Sequence, residues 1–300
     1  MAESISVKFN IQFNHPVAAF ALQIGGWLPL AFCFAPILLV DRNVTAILAA
    51  IGRGSDRADL AANSWWLEFL NSQTFLVNPL LCAMEGGTQS PPSYREFCLS
   101  FEQARAILAN AMPRARIIDY KEEHYVAAYE IVQSFALRYE AELKFLLGVA
   151  PMIVERHRES ALMRTEREML QVAFVSGVQR ESLVTLAALS CLYEPRDGSE
   201  PRIGRGILKP SEAYSEELAH NAIADLRALE VLAAVNALYS QSAAFCTRDK
   251  YLAAFWCGIQ VTHPQWRDGA VTFGITLRRQ LFPRLNPEQF VALLERLQDV

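Results

Sequence analysis

Two short apolar runs, each closed by an acid, interrupt a chain whose other apolar positions recur mostly at helical spacing. The first is P-I-L-L-V-D-R-N over 36–43. Four apolar residues in a row predict a strand buried on both faces, as in a parallel sheet. Asp41 and Asn43 then sit at the C-terminal mouth of that strand, where open α/β sheets bind ligands. A helix over 44–51 follows. The second run is A-A-F-C-T-R-D over 243–249. It predicts a short strand ending in Thr247 and Asp249, with a helix over 250–256 behind it.

Residues 4–13 alternate apolar and polar, the period of a half-exposed strand. Residues 17–40 are apolar without a formal charge, but Gln23, Gly25, Gly26, Pro29 and Pro36 interrupt them. Such breakers are costly in a spanning helix. The segment therefore reads as a short helix, a turn at Gly25 and Gly26, and the buried strand. Asn63 is placed to cap a helix over 64–70 that carries Trp65 and Trp66. Residues 75–77 suit a second strand, and Pro79 suits the first turn of a helix carrying Glu85 near its end, before Gly86 and Gly87. Helices are predicted over 94–110, 121–147, 152–174 and 179–193, the third laced with opposite charges three or four apart. A loop over 194–201 leads to a helix over 215–238, where Asn221 and Asp225 share a face. Residues 271–277 read as an edge strand or irregular chain, and 287–298 as a closing amphipathic helix.

Composition narrows the function classes. A 52% hydrophobic share fits a globular chain, and a net charge of -4 argues against an overall basic nucleic-acid binder. It leaves room for an acidic pocket with a local basic rim. Arg196, Arg202, Arg205 and Lys209 form the most basic segment. Arg202, Arg205 and Lys209, with Arg248, are candidate substrate-binding residues. The six cysteines include no C-x-x-C pair, so neither a zinc site nor a redox motif is indicated. They read as buried hydrophobes in a reducing, cytoplasmic setting. Glu3 ahead of Lys8, and the late start of the apolar run, read against a secretory signal. Gly52-Arg-Gly54 lacks the lysine and spacing of a phosphate loop. Of five dispersed histidines, His220 is singled out because it neighbours Asn221.

Four acids stand out by position. Asp41 and Asp249 end apolar strands; Glu85 and Asp225 lie on helices beside such strands. Two or three carboxylates within reach of one point suit Mg²⁺ or Mn²⁺, hard ions that prefer oxygen ligands. This order of motifs resembles the PIN-domain ribonucleases: V-D-R-N at 40–43, N-P-L-L-C-A-M-E at 78–85, A-D-L-R-A-L-E-V-L-A-A-V at 224–235 and F-C-T-R-D at 245–249. The resemblance implies an α/β, three-layer fold around a central, mainly parallel sheet. Its core would span about 35–92 and 211–260, with a large helical insertion over 93–210 and an extension over 261–300. That insertion is longer than a compact PIN domain carries. Asp41, Glu85, Asp225 and Asp249 would hold Mg²⁺ or Mn²⁺, with Asn43, Asn221 and Thr247 in support. The implied function is metal-dependent endoribonuclease action on RNA, as a toxin, a defence effector or a processing enzyme. A protein inhibitor or a second copy of the chain is the candidate partner, and no membrane is.

Each acid also has a structural reading. Asp41 and Asp249 are both placed to cap the helix that follows, and Asp225 suits the surface of an amphipathic helix. The rival function is a PIN-like interaction module in which the acids are remnants.

Overall fold

The computed structural model describes residues 17, 19–53, 64–72, 75–85, 90–195, 201–238, 242–267 and 270–298. The strand expected over 4–13, the cap at Asn63, Gly86, Gly87 and Arg196 lie outside the described residues, as do the side chains of Trp65 and Trp66.

The chain runs β1 (Phe20–Gln23), β2 (Gly26–Pro29), β3 (Ile37–Val40), α1 (Arg42–Gly52), α2 (Ser64–Ser72), β4 (Leu76–Asn78) and α3 (Leu80–Glu85). It continues through α4 (Tyr94–Ala111), β5 (Arg116–Ile117), α5 (Glu122–Val154), α6 (Glu159–Ser176), α7 (Leu183–Leu192), α8 (Ile203–Leu208) and α9 (Glu216–Leu238). It closes with β6 (Ala243–Thr247), α10 (Lys250–Ile259), β7 (Val261–Arg267), β8 (Ala270–Ile275) and α11 (Pro287–Gln298). Six strands form one sheet in the order β2-β1-β6-β3-β4-β5. The neighbours β6-β3, β3-β4 and β4-β5 are parallel, whereas β1 is antiparallel to both β6 and β2. The fold is thus mixed α/β with a mainly parallel central sheet.

Both faces of the sheet are covered. Ile37 and Leu39 of β3, with Phe245 of β6, pack with residues of α3, α5, α7, α9 and α10. Leu38 and Val40, with Ala244 and Cys246, pack on the opposite face with Val44 and Leu48 of α1, Leu70 of α2, and Leu108 of α4. All four β3 residues and all five β6 residues are buried. Burial on both sides is why these strands appear in sequence as unbroken apolar runs.

Several sequence expectations are corrected. The short helix expected early in 17–40 is instead strand β1, in a hairpin with β2. Gly25 turns the hairpin at φ +92°, a value open to glycine at no steric cost. Pairing of Phe20, Ala21 and Leu22 with β6 decides the strand, and a short apolar run does not announce that partner. The helix expected to end at Leu147 runs through Pro151 to Val154. Proline removes one backbone bond, yet Val149, Ala150 and Ile153 are buried and carry the helix one turn further. The following helix therefore starts at Glu159 rather than near Met152. Strand β5 adds to the sheet from inside the segment expected to be a helical insertion. Residues 271–277 resolve into β8, which pairs with β7 as a separate two-stranded sheet. Among the described residues, no helix is long and apolar enough to cross a membrane. None of the six cysteines forms a disulfide.

Candidate functional site

The parallel register builds the site's centre. Val40 pairs with Cys246, so one step beyond it Asp41 stands beside Thr247. The Thr247 hydroxyl donates to Asp41 Oδ2 at 2.8 Å and accepts the Asp249 N–H at 3.1 Å. One hydroxyl thus fixes the first acid and the backbone of the last. Asp41 Oδ1 accepts the Asn43 N–H at 3.0 Å. Asp249 Oδ1 accepts the N–H groups of Tyr251 and Leu252 at 2.7 and 3.0 Å, capping α10. The capping and site readings of these two acids therefore coexist. Each carboxylate oxygen has two lone pairs, and these bonds leave acceptor capacity over.

Asp41, Glu85 and Asp225 line one pocket together with His220, Tyr139, Phe135 and Arg227. Asp249 acts on it from the strand end beside Thr247. Electrostatics ties all four together. Burial raises the Asp225 carboxyl well above the ordinary range, and the charges of Asp41, Asp249 and Glu85 push it further, with the charge of Lys209 opposing. Among the described residues, no hydrogen bond or ion pair reaches the Asp225 carboxylate. Asp41 is also raised, by burial first, against the hydrogen bonds from Thr247 and Asn43 and with the charge of Asp249. Glu85 is raised by burial; its ion pair with Arg42, at 3.1 Å, opposes the shift. His220 is lowered by burial and by the charges of Arg227 and Arg42, so it stays neutral near pH 7. Its Nδ1 stands 3.0 Å from the Tyr139 hydroxyl.

The other anticipated residues are more scattered. Asn43 reaches Asp41 through its backbone. Asn221 is exposed on α9 and does not line the pocket. Arg205 is committed elsewhere: it binds Glu194 through Nε at 2.9 Å and the Ile153 carbonyl through Nη2 at 2.8 Å. Lys209 is exposed, and it is the cation whose charge opposes the Asp225 shift. Arg202 and Arg248 are partly buried and outside the pocket lining. The sequence reading missed Arg42, Tyr139 and Arg227. Arg42 was legible as the neighbour of Asp41; the other two depend on the packing of α5 against α9.

Among the described residues, no three or more His, Cys, Asp or Glu side chains form a ready metal-holding group. Mg²⁺ keeps several of its waters and needs only one or two protein carboxylates. The donor chemistry fits such an ion: three carboxylates on the lining, an excess of negative charge, and one carboxylate without a partner. Asp41 and Asp225 are the residues that would hold it, with Glu85 and Asp249 adding charge.

Comparison of the chain with protein-family models, with curated proteins and with solved structures gives no match in any of the three.

Proposed function

We propose that this pocket is the active site of a metal-dependent phosphodiesterase, a PIN-like ribonuclease acting on RNA. The observation that carries the reading is the Asp225 carboxylate, lining the pocket without a partner and facing the charges of three other acids. Unmatched negative charge costs free energy unless a cation answers it. A bound Mg²⁺ or Mn²⁺ would supply Lewis-acid polarisation of a phosphodiester oxygen. The chain's own residues have separable tasks. Thr247 and the Asn43 N–H hold Asp41 in one orientation. Neutral His220, oriented by Tyr139, is a hydrogen-bonding group on the pocket wall. Arg42 lies beside the acids at the strand ends. The RNA preference rests on the motif resemblance.

The test is thermal melting of the full chain with Mn²⁺, alongside cleavage of a single-stranded RNA. Mn²⁺ at 100 times its Kd should stabilise the protein by about 2.7 kcal/mol. Asp41→Asn should abolish both this rise and cleavage. Wild-type protein that neither gains stability with Mn²⁺ nor cleaves RNA sinks the reading. A second reading, an inactive interaction module, is favoured by the protein partners that Glu85 and Asp249 already have. It predicts no metal-linked stabilisation.

A further inference from the structure

Glu85 is the site acid whose charge is already answered by a side chain. Arg42 Nη1 stands 3.1 Å from Glu85 Oε2. Arg42 directly follows Asp41 and opens α1, while Glu85 closes α3. These helices follow β3 and β4, which lie side by side in parallel, so the pair bridges two adjacent strand ends at the mouth of the pocket. The two partners are unequally anchored: the Arg42 side chain is 56% exposed and that of Glu85 only 23%. Ion pairs with an exposed partner hold weakly. Glu85 stays with the pocket, which it lines together with Asp41 and Asp225.

We propose, resting on the cation-site reading above, that Arg42 is a built-in competitor for the metal. It occupies Glu85 until a divalent cation displaces it, and Glu85 joins Asp41 and Asp225 around the ion only when Arg42 leaves. The planar guanidinium fork also matches a phosphodiester. A substrate phosphate that draws Arg42 away raises cation affinity, and the cation in turn favours the substrate, because such coupling is reciprocal. The site is then loaded by ion and substrate together.

The experiment measures Mn²⁺ affinity of the full chain by titration calorimetry, with no RNA present, for wild type, Arg42→Ala, Arg42→Gln and Lys209→Ala. Lys209→Ala removes the same unit charge from a residue that acts on Asp225 and forms no ion pair among the described residues. Both Arg42 variants should bind Mn²⁺ about fivefold tighter or more than wild type, and Lys209→Ala should stay within about twofold. Arg42 variants that bind no tighter than wild type overturn the competitor role alone. So does a Lys209→Ala gain as large as theirs, which would reduce the effect to net charge. Absence of Mn²⁺ binding in wild type and both Arg42 variants removes the cation site along with it. Binding in the Arg42 variants but not in wild type is the strongest form of support.

Discussion

Asp225 concentrates the site's physics in one side chain. Its folded carboxyl is raised well above the ordinary value by burial and by three neighbouring acids. An acid shifted this way favours folding below its unfolded pKa, near 3.8, and that contribution is lost as pH rises through the folded value. Without metal, Asp225 therefore costs the fold little near pH 4, where its carboxyl is protonated in the folded chain, and is a liability at pH 7.5. Asp225→Asn should raise the melting temperature at pH 7.5 by roughly 2 °C or more, for about 1 kcal/mol, and leave it nearly unchanged at pH 4. Scanning calorimetry at both values checks this; a fall at pH 7.5 would mean that the charge is matched after all. Sequence singled out this acid through its place on a helix beside an apolar strand. It could not rank it above the others, because the ranking comes from which acids have partners. Asp41 has Thr247, Glu85 has Arg42 and Asp249 has its cap.

At the scale of elements, α8 shows how close packing sets a residue choice that no motif announces. A Cβ built on Gly204 would lie 2.4 Å from the Ala187 carbonyl oxygen and 2.6 Å from the Cys191 nitrogen. Both atoms belong to the α7 backbone and cannot turn aside. Gly204→Ala should therefore destabilise the fold by about 1–3 kcal/mol, read as a lower urea midpoint. Gly148→Ala meets one methyl of the half-buried Val172 at 2.9 Å, which can shift by the little required, and should cost less. A loss for Gly204→Ala no greater than for Gly148→Ala would refute this account. The same scale explains what was legible. β3 and β6 were readable because strands buried on both faces leave no polar interruption. The hairpin β1–β2 was not, since its strand state comes from pairing with a segment more than 200 residues away. β5, at two residues, is too short to carry any period.

For the whole molecule, the acids at the strand ends make stability depend jointly on pH and on metal. Asp41, Glu85 and Asp225 all have raised folded values. Together they favour the metal-free fold at acidic pH and oppose it as pH climbs through their folded values. A divalent ion requires the ionised carboxylates, so its stabilisation should grow over the same window. The melting-temperature rise with Mn²⁺ should be small at pH 5 and clearly larger at pH 7.5. Differential scanning fluorimetry at fixed Mn²⁺ checks it, and an equal rise at both pH values would place the ion away from these acids. The partly buried network of Arg138, Glu142, Arg227 and Glu230 joins α5 to α9 beside the pocket. That network belongs to the assembled molecule alone, since its members come from two distant stretches.

What the sequence determined by itself was local: two apolar strands closed by acids, the helices behind them, and a composition suited to a globular α/β chain. Burial imposes its periodicity on neighbouring residues, and that record survives in one dimension. Tertiary structure alone decided which charges meet and which are answered. The hydroxyl of Thr247 reaches Asp41 across 206 residues of chain. Arg42, the neighbour of Asp41 in sequence, pairs with Glu85 because two parallel strands end side by side. Electrostatic energy depends on separation through space and on burial, and neither quantity is written in sequence order.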